Sequence, residues 1–538
     1  MQSSTKSNLF VASCYAGILA LGMLVGPKFG HENHKSKSAA FTPFLSPEKS
    51  EKVEQILEII KENYVDPVKV DTLQNLAIGQ ILSHLDPHSL YLPPVKARDQ
   101  SQSLEGNYSG IGIEYLLVND TILVTSVKEG PARKAGIKAG DKILSIGSKN
   151  VAGTKTTSTE IVSLIKGRTG TIVKLGVKKR NSLSVNSVSV RRDKITVSSI
   201  DAAYMLSPTV AYVRVSKFGA HTDEDFSAVV RRLLQSNMKS MILDLRNNGG
   251  GYLSAATALA DEFLPDKQLI VYTKGAHEPR TDYFATRNGK FEQGKLIVLV
   301  DETTASASEV LAGAIQDLDR GVVVGRRSFG KGLVQEQFSF GDGSALNLTI
   351  ARYYTPLGRS IQRPYKMSSD AYFAEASTRL QKKEVNADGT LKDSVFDKSH
   401  TYKTASGHVL YGGGGIMPDI YIPVDTSAYN AFFYALRARG ILTEFLFSQV
   451  VNNYRPTSLA QVISDFNLSE EQYEQLVSFA IKNGVKVSPK AAAIARKAVY
   501  KEIKASLARF YFDDEAYYKV VNASDTAVLR SLHELKQP

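Results

Sequence analysis

The 538-residue sequence contains one cysteine and no tryptophan. A single cysteine excludes an internal disulfide framework and a zinc site built on several cysteines. None of the nine histidines belongs to a His-Glu-x-x-His pair, which excludes metalloproteases of that type, and we expect no metal and no cofactor. A Gly-x-Ser-x-Gly segment is also absent, which disfavours an ordinary α/β-hydrolase.

The composition is that of a folded protein with several domains. Apolar residues make up 43% and charged residues 22%, so disorder throughout the chain is excluded, and the length predicts about three or four domains. The net charge of +12 arises between Lys128 and Lys194, where 16 basic residues accompany 4 acidic ones. Such a module attracts nucleic acid, anionic lipid or a peptide carboxylate, or it is a solvated surface. Because no aromatic residues are interleaved with these charges, we expect no nucleic acid partner.

The N-terminus carries the pattern of a targeting segment. Residues 9–26 form an apolar run without charge, flanked by Lys6 and Lys28. This pattern indicates a signal peptide or membrane anchor over residues 1–26, followed by a polar linker over 27–45. Because no small-x-small cleavage site directly follows the run, an uncleaved anchor is favoured. We therefore expect an exported protein of the bacterial periplasm, free or anchored to the inner membrane.

Residues 46–100 are predicted to be a helical segment. Apolar side chains recur at helical spacing at Val53, Ile56 and Ile60. The pattern breaks at a proline turn that contains Asp86 and His88. These two side chains are either a catalytic pair or a structural turn, and a structural role is favoured for neighbours in a proline turn.

Residues 101–188 contain four short glycine-containing motifs in a fixed order. The motifs are Gly110-Ile111-Gly112-Ile113, Gly130-Pro131-Ala132, Ala135-Gly136-Ile137 and Gly140-Asp141-Lys142-Ile143-Leu144. In this order they resemble the motifs of a PDZ domain. The resemblance implies that a peptide C-terminus adds a strand beside Ile113–Leu117 while loop amides bind its carboxylate. We expect a pocket for an apolar tail, formed by Ile111, Gly112, Ile113, Ile161 and Leu164. A module used only as a spacer is the alternative.

Residues 189–425 alternate buried-strand patterns with helical patterns, which predicts an α/β core. The predicted strands are Val210–Val215, Met241–Leu245, Leu296–Val300 and Val322–Val324, and the predicted helices are Asp223–Gln235, Ser254–Leu264 and Ser308–Leu318. Residues 370–406 are polar and indicate an irregular insertion. Residues 426–538 are helical by pattern and carry no recognisable chemistry, so we expect a packing or assembly domain.

Two loops that follow strands carry residues suited to acyl transfer. Asp244–Gly251 ends in three consecutive glycines, whose amides suit an anion or oxyanion, although a tight turn has the same composition. Asp301–Glu309 opens a helix and contains Ser306 and Ser308. A serine at a helix N-terminus is often only a cap, but the same position favours a nucleophile whose reaction develops negative charge.

A third loop, Gly325–Gly332, is close to a phosphate-binding P-loop. Gly332 stands where that motif needs a serine or threonine for magnesium. The segment Leu333–Phe338 has the pattern of a strand instead of the required helix. Nucleotide binding is therefore disfavoured.

Together these segments resemble the C-terminal processing peptidases, or tail-specific proteases, which are PDZ-containing serine proteases. The matching pieces are Asp244–Gly251, Ser306–Glu309, Phe329–Gly332 with Gln335, Tyr354–Ile361 and Gly415–Asp419. Their order and spacing match, and the resemblance covers about Val53 to Asp425. Gly249 stands where proline is common, the insertion at 370–406 enlarges the last segment, and the helical C-terminal region lies outside the resemblance.

The resemblance implies a role for each residue of the site. Ser306 is the nucleophile, because the family's serine precedes Ala-Ser-Glu, and Lys331 is the general base. Burial of the Lys331 amine would favour its neutral form, and Gln335 would orient that amine. The amides of Gly250 and Ala307 would stabilise the oxyanion.

The resemblance also implies the function and the overall fold class. We expect a multidomain α/β protein with a helical N-terminal segment, a PDZ domain, a Ser-Lys protease core and a helical C-terminal domain. The predicted activity is endopeptidase cleavage of exported proteins that carry free, apolar C-termini. A catalytically inactive PDZ scaffold is the alternative. The sequence leaves open whether the chain forms a homo-oligomer or binds a regulatory protein partner.

Overall fold

A computed structural model describes most of the chain after the predicted linker. The described residues are 51–180, 182–366, 368–381, 400–424 and 427–537. The predicted anchor and linker therefore lie outside the described residues. None of the described helices combines the length and apolar character that crossing a membrane requires.

The first described segment is helical, as its periodicity predicts. Its elements are α1 (Glu51–Asn63), α2 (Val70–Ser83), β1 (Leu90–Leu92) and α3 (Pro94–Leu104). Helix α3 begins with a proline in its first turn, where the missing N–H costs no hydrogen bond. It continues past the predicted boundary at residue 100.

The PDZ module is built on an antiparallel sheet. Its elements are β2 (Asn107–Gly110), β3 (Ile113–Val118), β4 (Thr121–Val127), α4 (Pro131–Lys134), β5 (Lys142–Ile146), β6 (Lys149–Asn150), α5 (Ser158–Ile165), β7 (Ile172–Lys178), β8 (Val185–Arg191) and β9 (Asp193–Thr196). The strand order is β3-β4-β5-β7-β8, and β2 pairs separately with β9. Within the described residues, β3 pairs with β4 alone and leaves one edge for an added peptide strand.

The protease core contains a six-stranded sheet, as the alternation of strands and helices predicts. Its first elements are β10 (Ile200–Met205), β11 (Val210–Val215), α6 (Thr222–Gln235), β12 (Ser240–Asp244), α7 (Leu253–Ala260), β13 (Leu269–Lys274), β14 (Thr281–Phe284), β15 (Lys295–Val300), α8 (Ala307–Asp317) and β16 (Val322–Gly325). Its later elements are β17 (Leu333–Ser339), β18 (Ala345–Tyr354), α9 (Ser369–Gln381), β19 (Thr401–Lys403), β20 (Val409–Tyr411) and β21 (Ile420–Tyr421). The sheet order is β10-β11-β12-β15-β16-β21, parallel from β11 onward.

A second sheet borders the first and carries the β17–β18 hairpin. Its order is β1-β18-β13-β14, and β17 pairs with β18. The prediction of an irregular insertion over 370–406 is wrong for its first part, because 369–381 form α9. The buried Arg363, which lies outside the helix, binds Glu375, and the buried Arg379 donates to the Ser328 carbonyl at 2.7 Å, so both contacts anchor this polar helix to the core. Residues 382–399 lie outside the described residues.

The C-terminal region is helical, as predicted. Its elements are α10 (Ala431–Ala438), α11 (Ile441–Phe445), a π-helical turn (Leu446–Val450), α12 (Val451–Asn453), α13 (Leu459–Asp465), α14 (Glu470–Lys482), α15 (Pro489–Tyr511), α16 (Asp514–Asn522) and α17 (Thr526–Lys536). The apolar core of these helices includes Val118 and Leu123 from the PDZ sheet. The C-terminal domain is therefore packed against the PDZ domain.

The last helices also cover one face of the parallel sheet. On the opposite face, α6, α7 and α8 bury their apolar sides against the sheet. On the face covered by the last helices, Ala527 and Val528 of α17 pack with Tyr212 of β11, Ile242 of β12 and Leu299 of β15. A parallel sheet needs both faces covered, so the C-terminal region supplies one layer of the protease core.

Candidate active site

One cavity of about 410 Å³ brings together the five residues predicted for catalysis and oxyanion binding. Its walls include Gly250, Ser306, Ala307, Lys331 and Gln335. These residues come from separate loops and strands, which the parallel sheet and the β17–β18 hairpin place at one edge. The structure thus brings these five residues together, and their chemical roles stay predictions.

Ser306 directly precedes α8 in an unusual backbone conformation. Its φ of 58° and ψ of −119° lie in a sparsely populated region for a residue with a Cβ. Surrounding contacts must hold it there, and its N–H donates a hydrogen bond to Glu309 Oε2 at 2.9 Å. Ser308 is fully buried, and its hydroxyl donates to the Asn248 carbonyl at 3.0 Å. Ser308 is therefore engaged in the structure, which agrees with the choice of Ser306.

Lys331 lies in the loop before β17 with its amine in a buried environment. Burial lowers the pKa of Lys331 from its ordinary value, whereas the negative charges of Glu309 and Asp86 oppose this shift. A lower pKa increases the fraction of neutral amine, which is the form that accepts a proton. The environment of Lys331 is therefore suited to a general base.

Gln335 lies on β17, which pairs with β18. Its Nε2 donates a hydrogen bond to Thr349 Oγ1 on β18 at 3.2 Å. With the nitrogen engaged in this way, the side-chain oxygen is the group that would accept a hydrogen bond from an amine. This orientation is compatible with the role predicted for Gln335.

Gly250 lies against Ser306 more closely than any other residue type would allow. A Cβ at Gly250 would be 2.7 Å from Ala305 O and 2.8 Å from Ser306 Cβ, and the φ of +98° disfavours side chains. Its N–H donates to Asn248 Oδ1 at 2.9 Å. The prediction that this amide is an oxyanion donor is therefore not met in this conformation, because the N–H is already used. Ala307 is buried at the start of α8, and its predicted role is not tested.

Glu309 links the loop that contains Ser306 to the loop that contains Lys331. No role was predicted for it from the sequence. Its buried carboxylate accepts hydrogen bonds from the N–H groups of Ser306 at 2.9 Å, Gly330 at 2.7 Å and Lys331 at 2.8 Å, and from the Ser328 hydroxyl. Burial raises the pKa of Glu309 to about 7, and these donated hydrogen bonds oppose that shift. Its position three residues after Ser306 is a capping-box signal that could have identified it.

Tyr353 makes a second connection between the same loops. Its buried hydroxyl lies within hydrogen-bond distance of the Ser306 carbonyl, at 3.1 Å, and of the Lys331 carbonyl. Tyr353 belongs to β18, so its hydroxyl approaches the site from the second sheet. No local sequence signal indicates this contact.

Asp244 and Arg246 fix the start of the glycine loop. Burial acts to raise the pKa of Asp244, but the guanidinium groups of Arg246 and Arg214 outweigh it and hold this pKa well below its usual range. Arg246 donates to Asp244 through Nε at 2.9 Å and Nη2 at 2.7 Å. The Tyr212 hydroxyl adds a hydrogen bond at 2.7 Å. The carboxylate of Asp244 is therefore ionised and paired at the end of β12.

His88 lies near the site, but its local contacts are those of a structural turn. Asp86 Oδ1 accepts hydrogen bonds from the N–H groups of His88 at 2.8 Å and Ser89 at 2.9 Å. His88 Nε2 is 3.0 Å from the Tyr372 hydroxyl. Burial, followed by the positive charge of Lys331, lowers the pKa of His88 to about 4. The imidazole is therefore neutral at neutral pH, and the favoured structural interpretation fits these contacts.

The predicted PDZ pocket residues fall into two groups. Ile111 and Ile161 are fully buried in the PDZ core and present no surface to a peptide, so their assignment to an open pocket is wrong. Ile113 and Leu164 are half-buried on β3 and α5 and remain suitable as pocket walls. Gly112 has a φ of +80°, and a Cβ there would lie 3.2 Å from Ile195 Cδ1. Periodicity alone does not distinguish a residue beneath the groove from one that lines it.

The loop Gly325–Gly332 does not have the structure of a P-loop. Strand β16 ends at Gly325, and the loop leads directly into strand β17. A phosphate-binding loop needs a helix at this point, because the helix N-terminus supplies its amides. In this loop, the amides of Gly330 and Lys331 donate to Glu309.

Comparison with known proteins gives matches along most of the described chain. The sequence profile of peptidase family S41 matches residues 209–372, that of the PDZ domain matches 123–179, and a family of unknown function matches 432–513. Over 314 residues the chain is 37% identical to a carboxy-terminal-processing protease of Bartonella bacilliformis. That match covers 57% of this chain and 71% of the relative. The chain belongs to peptidase family S41.

The S41 chain is thus a serine-type peptidase with a PDZ domain, and the predicted fold class is confirmed. It is also 33% identical over 317 residues to the carboxy-terminal processing protease CtpB of Bacillus subtilis, covering 58% of this chain and 65% of that one. Among solved structures, the photosystem II D1 C-terminal processing protease matches with 24% identity and a TM-score of 0.35. It covers 70% of this chain and 93% of its own.

Proposed function

We propose that this S41 peptidase is a Ser-Lys endopeptidase that acts on exported proteins and selects them by their C-terminal tails. The observation that carries the proposal is the shared cavity of Ser306 and Lys331, in which burial lowers the pKa of the lysine. A neutral amine beside a serine at a helix N-terminus has the properties that acyl transfer requires. No histidine is needed in this mechanism.

The reaction follows from these roles. Ser306 Oγ attacks the carbonyl carbon of the scissile peptide, and its proton passes to the Lys331 amine. The carbon–nitrogen bond breaks when Lys331 returns that proton to the leaving amine, which leaves an ester on Ser306. A water molecule then attacks the ester with Lys331 as base, and the carboxylic acid product and free Ser306 result. Gln335 orients the amine, and Ala307 N–H is the proposed oxyanion donor.

The PDZ domain is proposed to recognise the substrate tail. The free edge of β3 supports strand addition, and Ile113 with Leu164 offers an apolar surface for the last side chain. The relatives from Bartonella and Bacillus are named for carboxy-terminal processing, which fits the same substrate class. We further propose export to the periplasm, supported by the apolar run over residues 9–26.

The test compares the purified full-length chain with Ser306→Ala on an unfolded protein that ends in an apolar tail. A matched substrate carries the same tail with an amidated C-terminus. We expect cleavage by the wild type, a loss of at least about 10³-fold in Ser306→Ala, and slower cleavage of the amidated substrate. Equal cleavage by Ser306→Ala would reject Ser306 as the nucleophile.

The tail and the chemistry are tested separately by this design. If amidation leaves the rate unchanged while Ser306→Ala is inactive, the peptidase stands and tail recognition is rejected. If neither form cleaves but both bind the free tail, the chain acts as a peptide-binding scaffold. Ser308→Ala is the matched control, because Ser308 donates to Asn248 and lies outside the cavity wall.

A further inference from the structure

Arg246 joins the glycine loop of the active site to the last helix of the chain. Its Nη1 donates to both carboxylate oxygens of Asp525, at 2.9 Å and 3.1 Å. Its Nε and Nη2 donate to Asp244. One guanidinium thus binds two carboxylates, one from the protease core and one from the C-terminal region.

Asp525 is held rigidly from its own side. It is the N-cap residue of α17, and its Oδ1 accepts hydrogen bonds from the N–H groups of Ala527 and Val528 at 3.0 Å each. Both of these residues are buried against the parallel sheet. The carboxylate that reaches Arg246 is therefore fixed by a cap and by packing, and it does not need to be ordered by the arginine.

The negative charge of Asp525 balances the positive charges of Arg246 and Lys501 in a poorly exposed region. The side chains of Arg246 and Asp525 are only 15% and 19% exposed. Lys501 on α15 lies close enough to interact electrostatically with both residues. Burial lowers the pKa of Lys501, the negative charge of Asp525 opposes that shift, and the positive charge of Arg246 adds to it. Without Asp525, Arg246 Nη1 would lose its acceptor in a region poor in water, and two neighbouring cations would lose a counter-charge.

The backbone that follows Arg246 leads directly to Ser306. The N–H of Asn247 faces the Asp301 carboxylate at 3.2 Å, and Asn248 Nδ2 donates to the Val215 carbonyl at 3.0 Å. Gly250 then passes so close to Ser306 that an added Cβ would lie 2.8 Å from Ser306 Cβ. A shift of Arg246 would be transmitted over these few residues to the wall of the cavity.

We propose that Asp525 is a positioning residue for the active site, through which the C-terminal region holds the loop from Arg246 to Gly251 against Ser306. This inference rests on the proposed function, in which that loop and Ser306 form the reaction centre. It gives the C-terminal domain a part in catalysis that lies beyond packing or assembly. Asp525 itself touches no reacting atom.

The test uses Asp525→Asn in the full-length chain. Asparagine caps a helix as well as aspartate does, so α17 is retained while the charge that binds Arg246 is removed. We expect kcat to fall at least about tenfold with KM within about twofold of the wild type, because loop geometry and not tail binding is changed. Asp525→Glu, which keeps the charge, should recover part of the loss.

The matched control is Asp513→Asn. Asp513 caps α16 by accepting from the Ala516 N–H, so this variant makes the same chemical change at a helix N-cap of the same domain. Its kcat should equal that of the wild type. A kcat of Asp525→Asn equal to the wild type, measured while Ser306→Ala is inactive, would overturn the proposal and leave the proposed function intact.

A second measurement does not depend on activity. Hydrogen exchange of the peptide covering residues 244–251 should be faster in Asp525→Asn than in Asp513→Asn, with exchange elsewhere in the core unchanged. Unchanged exchange in that peptide would overturn the proposal. Faster exchange throughout the chain would also overturn it, because it would show a general structural role. If the wild type cleaves nothing, the proposed function fails, and this measurement still decides whether Asp525 holds the loop from Arg246 to Gly251.

Discussion

Glu309 Oε2 accepts a hydrogen bond from the Lys331 backbone N–H at 2.8 Å, and the same oxygen accepts one from Ser306. The positions of the proposed nucleophile and base are therefore set by a shared acceptor. Because that carboxylate is fully buried, it has no water to replace a lost contact. The separation of the Ser306 backbone from the Lys331 backbone therefore depends on this carboxylate.

Glu309→Gln should keep the size of the side chain and remove its charge. We expect kcat to fall by about 10²-fold with little change in KM, because a neutral amide cannot accept from four donors as a carboxylate does. Steady-state kinetics on a tail-bearing substrate would measure this. Glu302→Gln is the matched control, since Glu302 lies in the same loop but pairs with Arg326 at its edge. Wild-type kcat in Glu309→Gln would contradict the role of Glu309.

The pH dependence of kcat/KM should report the lysine. A general base works in its deprotonated form, so activity should rise with pH and level off above the pKa of Lys331. Since burial lowers that pKa, the midpoint should lie below 10.5, the ordinary value for lysine. Lys331→Arg should abolish cleavage at every pH, because arginine stays charged. A midpoint at or above 10.5 would rule out a buried neutral amine.

Gly250→Ala and Gly249→Ala should differ sharply. A Cβ at Gly250 would collide with Ala305 and Ser306, and its φ adds backbone strain of about 1–3 kcal/mol. At Gly249 a Cβ would meet no heavy atom within 4 Å. We expect Gly250→Ala to lose cleavage at least about 10²-fold and Gly249→Ala to stay near the wild type. Equal activities in the two variants would show that the close approach at Ser306 is unimportant.

The two groups of PDZ residues should respond to different measurements. Ile161→Ala removes a fully buried side chain and should destabilise the PDZ domain by about 2–5 kcal/mol, measured by denaturant unfolding. Leu164→Ala removes a half-buried side chain and should mainly raise KM for apolar tails. If Leu164→Ala left KM for such tails unaltered, the groove beside α5 would not be the binding site.

The residues that meet at the candidate site were predictable because they lie in short, ordered motifs. Ser306 precedes a helix, Lys331 precedes a strand and Gln335 lies on that strand, and the resemblance of these motifs to a known family implied a serine peptidase. Parallel strands end at one edge of a sheet, so loops that follow such strands are expected to meet there. The main strands were predictable as well, because the strands of a parallel sheet are buried on both faces and are therefore runs of apolar residues.

Other features depend on the hydrogen-bond partner, the burial or the ion pair that a residue acquires only in the folded chain. Gly250 looked like an oxyanion donor, yet its N–H is used by Asn248. Ile111 and Ile161 have the pattern of pocket residues, yet they lie beneath the PDZ surface. The helix over 369–381 looked like an irregular insertion because it is polar, yet Glu375 pairs with Arg363 and Arg327, which lie outside the helix.

The sequence by itself determined the order of the domains and the residue types of the site, since these depend on local pattern and motif order, and its resemblance to known peptidases indicated the family. Only the tertiary structure decided that Glu309 and Tyr353 connect Ser306 with Lys331. It also decided that Asp525 reaches Arg246 from the C-terminal helices. The physical reason is that a hydrogen bond between distant segments requires its donor and acceptor to be positioned to within roughly a few tenths of an ångström. Local patterns set which groups are present, and only long-range packing fixes which groups meet.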